Sequence, residues 1–129
     1  MTVESQNFTM YANTQVTLAW AGILGSDGAL IDITNRIIKF ALVLKSGNAI
    51  VVDPLIDMNS VDDTAQVLKP SPIVGNPHVQ VILLPADSVD LAPIDTVYGY
   101  QVEVFENDGT VPVMVTTGDI TIKQNAINA

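Results

Sequence analysis

Apolar and polar residues alternate along most of this chain in short runs, and pairs of turn-forming residues separate the runs. The pairs are Asp27-Gly28, Gly47-Asn48, Gly75-Asn76, Asp108-Gly109 and Gly118-Asp119. Alternation with a period of two residues is typical of half-buried strands, and evenly spaced turn signals between short strands indicate a sandwich or a barrel. The pattern therefore predicts an all-β fold, a single antiparallel β-sandwich of immunoglobulin-like or jelly-roll-like type with about seven to nine strands.

One segment is ambiguous by its length, since Ile37 to Lys45 would also suit a helix. Ile38, Phe40 and Leu42 recur at every second position, which favours a strand. The longest alternating strand is expected at Val97 to Glu106. With these two included, the predicted strands are Asn7 to Tyr11, Gln15 to Ile23, Ala29 to Thr34, Ile37 to Lys45, Ala49 to Ile56, His78 to Leu84, Val97 to Glu106, Val111 to Val115 and Asp119 to Lys123.

Glycine and proline residues indicate how the strands begin, end and bend. Pro54 places the end of its strand at a sheet edge or a bulge, because proline cannot donate to a strand ladder. The stretch 58–77 predicts a surface loop with one short strand near Gln66 to Lys69. Pro85 suits the first position of a single helical turn, and Gly118 predicts a kink that separates the last two strands.

The length of the chain fits one domain, residues 1–129, with short flexible terminal arms at 1–5 and 124–129. The chain has no cysteine, which excludes thiolate metal ligands and thiol catalysis. Hydrophobic residues make up 48% of the chain and charged residues only 15%. We therefore expect apolar surface that is hidden against a protein partner.

The charge balance is strongly acidic, with 14 Asp and Glu against 5 Lys and Arg and a net charge of −9. Phosphate binding needs clustered cations, so we expect no nucleic-acid partner. The acidity fits either solubility or complementarity to a basic partner surface. No apolar run is long enough to span a bilayer and the N-terminus does not resemble a signal peptide, so no membrane partner is predicted.

Few residues suggest catalysis. His78 is the sole histidine, and the Gly-x-Ser-x-Gly motif of hydrolases does not occur. Glu103 and Glu106 are three positions apart on a predicted strand, where their side chains point to opposite faces. The sequence therefore predicts a protein that is not an enzyme and has no cofactor.

One acidic stretch, "DMNSVDD" from Asp57 to Asp63, contains side-chain oxygen atoms of the kind that bind calcium in a loop. Such a loop needs oxygen ligands at alternating positions, a glycine at the sixth position and a distal Glu. Here Val61 takes the fifth position, Asp62 replaces the glycine and no Glu closes the loop. A solvated acidic loop that caps a turn is the favoured interpretation, and no metal site is predicted.

The aromatic residues allow two interpretations. Tyr11, Trp20, Tyr98 and Tyr100 would form a sugar-stacking platform if they lay exposed in a row. Most of them occupy alternating positions that are typical of a core, and core packing is therefore favoured. A carbohydrate-binding module is kept as a remote alternative.

Three stretches carry a resemblance to a known family: "TLAW…GSDGALIDIT", "VQVILLPADSVDL" and "YGYQVEVFENDGTVPVMVTTGDITI". Together they resemble the immunoglobulin-like β-sandwich at the N-terminus of tailed-bacteriophage baseplate upper proteins, and of related small virion proteins. The likeness covers roughly Phe8 to Lys123. One departure is Asn35, which stands where the family usually has glycine; asparagine can still adopt a left-handed conformation, so the turn is expected to survive.

The baseplate relatives continue into a stalk or a receptor-binding part, whereas this chain stops at Ala129. The resemblance therefore implies a free-standing block of the virion, assembled in the host cytoplasm. We expect a capsid decoration (cement) protein that binds and stabilises the major capsid protein lattice. A tail, baseplate or connector subunit is the alternative.

A homo-oligomer, dimer or trimer, is expected for such a subunit. The partner contacts are expected at the terminal arms and in the loop 58–77, through the major capsid protein or the tail and baseplate proteins. The candidate interface residues are Val61, Val67, Leu68, Ile73, Val74 and Ile127.

Overall fold

A computed structural model of the chain describes residues 6–20, 32–46, 49–50, 54–70, 72–73, 77–89, 91, 96–105 and 112–124. Ten strands and one helical turn lie within these residues. The strands are β1 (Phe8–Tyr11), β2 (Val16–Trp20), β3 (Ile38–Val43), β4 (Lys45–Ser46), β5 (Ala49–Ile50), β6 (Ile56–Asn59), β7 (Val67–Leu68), β8 (Val79–Leu83), β9 (Thr96–Phe105) and β10 (Pro112–Lys123). The helical turn α1 is Pro85–Ser88, as predicted from Pro85.

The described strands form two main sheets that pack face to face. The larger sheet has five strands in the order β1-β10-β9-β3-β6, and the smaller has three in the order β2-β8-β7. The short strands β4 and β5 pair with each other, and the predicted turn pair Gly47-Asn48 lies outside the described residues. Among the described strands, all pairings are antiparallel except that of β1 with β10, which is parallel. The predicted all-β sandwich is confirmed, with eight described strands in its two main sheets.

The strand order distinguishes the two sandwich types that the sequence left open. If β2 is taken as strand B, then β2-β8-β7 corresponds to B-E-D and β10-β9-β3-β6 to G-F-C-C′. The same order of strands occurs in immunoglobulin-type sandwiches. Strand order describes an architecture and does not identify a family or a function.

The core lies between the sheets and is centred on aromatic residues from both. Trp20 of β2 and Tyr100 of β9 are fully buried, with ring centroids 5.4 Å apart. The indole nitrogen of Trp20 donates to the Tyr100 hydroxyl at 3.1 Å, which donates in turn to the Gln6 carbonyl at 2.6 Å. Phe8 and Phe40 complete the cluster. One chain of hydrogen bonds therefore joins the two sheets and the segment before β1.

Gly118 does not kink the chain, and this prediction was wrong. The segments expected as two strands form one strand, β10, which at twelve residues also exceeds β9 in length. A Cβ atom at Gly118 would meet the Gln6 carbonyl oxygen, and would lie 2.5 Å from Cε2 and 2.6 Å from the hydroxyl of Tyr100. Glycine is therefore needed for the close approach of Tyr100 and Gln6. The register irregularity in β10 falls near its start, between Pro112 and Met114.

The predicted strand Ala29 to Thr34 is wrong in its described part, residues 32–34. Here the Asp32 carboxylate accepts hydrogen bonds from the Thr34 hydroxyl and amide, which form a local turn and lower the pKa of Asp32. Asn35 lies in this turn, as expected, and does not adopt the left-handed conformation. Among described non-glycine residues, only Asn13 has a positive φ, of 58°.

This turn is held to the smaller sheet by Lys69, which follows β7. Its ammonium donates to the carbonyls of Ile33, Thr34 and Arg36 at 3.2, 2.9 and 2.9 Å. All three N–H donors therefore have acceptors. Burial lowers the pKa of Lys69 from its ordinary value.

The predicted strand Ala49 to Ile56 is also wrong in its extent. Its described ends belong to two strands, β5 and β6, and β6 continues to Asn59 in the stretch that was expected to be irregular. Pro54 does precede an edge strand, since β6 ends the five-stranded sheet. The short strand β7 and the long strands β3, β8 and β9 are confirmed. The turns predicted at 27–28, 75–76 and 107–109 and the arms at 1–5 and 125–129 lie outside the described residues.

Candidate functional site

The outer face of the five-stranded sheet carries a groove of about 390 Å³. We call it the outer-face groove. It lies over β3, with β6 on one side and β9 on the other. The residues that line it are Lys39, Phe40, Ala41, Val43, Pro54, Asp57, Gln101 and Glu103.

Strand register explains why these residues meet, although they come from distant parts of the chain. Ala41 of β3 is opposite Asp57 of β6 and Gln101 of β9. Lys39 is opposite Glu103 in the same way. Successive side chains of a strand point to opposite faces, so the residues next to the buried core positions face outward. The small Ala41 leaves the depth of the groove between its longer neighbours.

The charges of the outer-face groove are not paired with one another. Within the described part of the chain, the carboxylates of Asp57 and Glu103 have neither a hydrogen bond nor an ion pair. The ammonium of Lys39 instead lies over the Phe105 ring, 4.6 Å from its centroid. The groove therefore presents the carboxylates of Asp57 and Glu103 to solvent, while the ammonium of Lys39 lies over Phe105 and not beside them.

The arrangement suits recognition of a charged and partly apolar group. β6 and β9 flank β3, so their backbones lie about 10 Å apart and the two carboxylates border the groove from either side. Ala41 and Pro54 add apolar surface to the lining, whereas Val43 is only 4% exposed. The described residues that line the groove include two carboxylates, one ammonium and one amide, and no hydroxyl or imidazole.

His78, the sole histidine and therefore a candidate catalytic base, is buried in the core. It is fully buried, and its Nε2 atom lies 3.0 Å from the Pro72 carbonyl oxygen. Its amide donates to the Trp20 carbonyl at 2.8 Å, beside the first pairing of β8 with β2. Its position therefore fits a structural role at the start of β8.

The acidic stretch from Asp57 to Asp63 is divided by the fold. Asp57 faces the outer-face groove, whereas Asn59 and Asp63 form a turn. The Asp63 carboxylate accepts from the Asn59 amide at 3.0 Å, and the Asn59 side-chain oxygen accepts from the amides of Val61 and Asp62. No group of three or more His, Cys, Asp or Glu side chains in the described residues is placed to hold a metal. The interpretation of a turn-capping loop is confirmed for these hydrogen bonds.

The aromatic residues are not arranged as a row on the surface. Trp20, Tyr98 and Tyr100 are buried, while Tyr11 is 52% exposed. The three buried rings pack in the core, as the core interpretation predicted. Tyr11 thus faces solvent without the other three.

The candidate interface residues fall into three groups. Val61 and Ile73 are exposed by 59% and 63%, and Leu68 is partly buried in β7. Val67 is only 2% exposed and packs in the core, so it offers no surface to a partner. Val74 and Ile127 lie outside the described residues.

The outer-face groove was not predicted from the sequence. Lys39, Gln101 and Glu103 were visible as polar positions in apolar strands, which indicates a solvent-facing side. Local alternation assigns Asp57 to a loop, because it does not reveal the strand β6. The groove depends on which strands are neighbours, and that pairing is not visible in local alternation.

A scan against protein-family models and a search of curated proteins found no match for this chain. The resemblance to phage virion proteins therefore stays a prediction. Among the described residues, no helix is long and apolar enough to cross a membrane.

Proposed function

We propose that this protein is a non-enzymatic structural subunit of a bacteriophage virion that binds other virion proteins through the outer-face groove. The observation that carries the docking role is the groove itself, an apolar floor between charged and polar side chains on an exposed sheet face. An apolar centre with a polar rim is the usual composition of a protein–protein contact. The proposed partner is the major capsid protein, which the subunit would stabilise as a decoration (cement) protein.

The rigidity of the sandwich supports this role. The outer-face groove is built on three paired strands, and the inner face of these strands carries the buried Phe40 and Tyr100. A preformed surface on regular strands loses little conformational entropy when it binds. Such a surface fits a subunit that is added to a lattice without changing its own fold.

Exposed apolar residues elsewhere offer a second contact. Val61 follows β6, the edge strand beside the groove, and Ile73 lies in the segment between β7 and β8. Both belong to the loop 58–77 that the sequence predicted as an interface. Burial of each side chain against a partner would contribute roughly 1 to 2 kcal/mol.

The assignment to a virion derives from the resemblance described above and not from the groove. A tail, baseplate or connector subunit would use the same kind of surface, and it remains the alternative location. Localisation in the virion and a dimeric or trimeric state belong to the same proposal.

Cryo-electron microscopy of particles from the encoding phage, with and without its gene for this chain, tests the proposal. Density on the head shell, with heads that burst more readily when the protein is missing, would support decoration. Density only at the tail would support the alternative location. A chain that is missing from purified particles would contradict both.

A further inference from the structure

We infer that the outer-face groove binds an arginine side chain from a basic surface of the protein partner. The inference rests on the proposed docking of this face and specifies the partner's chemistry. It starts from the two carboxylates, Asp57 and Glu103, which border the groove from different strands and are unpaired within the described residues. Docking of a neutral apolar surface would leave both charges desolvated without compensation, which is costly.

A cation from the partner removes that cost. Charge-assisted hydrogen bonds to carboxylates are the strong ones in proteins, and a guanidinium donates in two directions at once. Lys39 does not fill this role from within the chain, because its ammonium is placed over Phe105. The groove therefore favours a donor that arrives from outside.

The apolar floor selects arginine among the possible cations. Ala41 and Pro54 provide a surface for the methylene stem of a long side chain. A guanidinium is planar and more weakly hydrated than an ammonium, so it enters a partly apolar groove at lower cost than lysine. The depth left by Ala41 is consistent with a side chain that inserts between its neighbours.

The overall charge favours the same class of partner. The net charge of −9 attracts basic surfaces over long range and raises their rate of encounter at low salt. The net negative charge attracts the basic partner, and the carboxylates of Asp57 and Glu103 determine where its arginine binds.

A peptide titration of the full chain tests the inference. The probe is acetyl-Gly-Val-Arg-Val-Gly-amide, and its twin carries citrulline, in which a neutral urea replaces the guanidinium. In nitrogen-15 NMR spectra the arginine probe is expected to shift the amides of Ala41, Gln101 and Glu103 saturably. The citrulline twin is expected to bind at least about tenfold more weakly, as the loss of a charge-assisted hydrogen bond implies.

Two variants identify the carboxylates as the cause. The double variant Asp57→Asn with Glu103→Gln is expected to weaken the arginine probe by about tenfold or more. Asp62→Asn removes the same kind of charge from the nearby turn and is expected to leave the affinity unchanged. Equal binding of both probes, no saturable shift, or an equal loss in Asp62→Asn would overturn the inference.

The same variants separate this inference from the proposed function. In one possible result, the wild type decorates particles and the Ala41→Tyr variant is lost from them, while the double variant binds particles with unchanged affinity and salt dependence. Then the outer face docks without an arginine and only the inference fails. If the protein is missing from particles, the proposed function fails, and the peptide titration still decides whether the groove binds guanidinium.

Discussion

The two faces of the five-stranded sheet differ in whether their polar groups have hydrogen-bond partners. On the inner face, the Tyr100 hydroxyl is shared between Trp20 and Gln6 in a closed set of hydrogen bonds. On the outer face, the carboxylates of Glu103 in β9 and Asp57 in β6 have no partner in the described structure. The inner face is organised for stability, and the outer face keeps binding capacity free for another molecule.

This contrast arises within single strands. In β9 the side chains of Tyr98, Tyr100, Val102 and Val104 pack in the core cluster, while Gln101 and Glu103 point to the other side. Substitutions on one face should therefore change folding with little direct effect on binding, and those on the other should do the reverse. The expected effect on the free energy of unfolding is largest for substitutions on the inner face and smallest for substitutions on the outer face.

The largest effect is expected for Gly118→Ala. The added Cβ would collide with Tyr100 and with the Gln6 carbonyl, a backbone atom that does not rotate away. Overpacking of this kind costs about 3 kcal/mol, measured by urea denaturation. The control is Thr117→Ala at the exposed neighbouring position, with a change within about 0.5 kcal/mol. Equal midpoints for the two variants would contradict the tight packing at Gly118.

Tyr100→Phe is expected to destabilise the protein by about 2 kcal/mol. The change leaves the Trp20 N–H without its acceptor and the Gln6 carbonyl without its donor, and buried unpaired groups are costly. Tyr11→Phe removes a hydroxyl from the exposed side and should stay within about 0.5 kcal/mol. Denaturation curves of both variants give the comparison, and similar losses would show that the inner hydrogen bonds contribute little.

The stability contributed by the Tyr100 hydroxyl should decline at high pH. Burial raises the pKa of Tyr100 above its ordinary value of 10.0, so the folded state favours the neutral phenol. Its contribution is fully present below pH 10 and is lost as the pH rises toward the folded-state pKa, by up to about 1.4 kcal/mol per pH unit. The stability difference between the wild type and Tyr100→Phe should therefore be smaller at pH 11 than at pH 8. A difference that stays constant would argue against a buried, neutral Tyr100.

The smallest effect on stability is expected for the double variant Asp57→Asn with Glu103→Gln. Both carboxylates are unpaired within the described residues, so their loss removes no hydrogen bond. The free energy of unfolding should change by less than about 0.5 kcal/mol, measured in the same urea series. A large loss would show that these carboxylates stabilise the fold and would remove the contrast between the two faces.

The local parts of this fold were predictable, while its pairings were not. Alternation placed Ile38, Phe40 and Leu42 on the inner face of β3, and Pro85 at the start of a helical turn. It failed at Asp32, whose side chain bonds its own backbone neighbour Thr34 and forms a turn. It also failed at Gly118, where glycine serves close packing by residues that are distant in sequence.

The outer-face groove lay beyond sequence reasoning for the same reason. Asp57 and Glu103 meet across β3 only because β6 and β9 both pair with it. No feature of residues 54–59 predicts that pairing, and the run from Asp57 was interpreted as part of a loop. Strand order is a property of the whole sheet, so a site that depends on it emerges with the fold.

One measurement tests most directly whether the outer face docks. Particles that lack this protein are mixed with two variants, Ala41→Tyr in the outer-face groove and Ala19→Tyr on the smaller sheet, after both are shown to unfold like the wild type. Both positions are half-buried alanines in strands. The number of copies bound per particle should be strongly reduced for Ala41→Tyr and unchanged for Ala19→Tyr. If Ala41→Tyr binds at wild-type levels, the outer-face groove is not the docking surface.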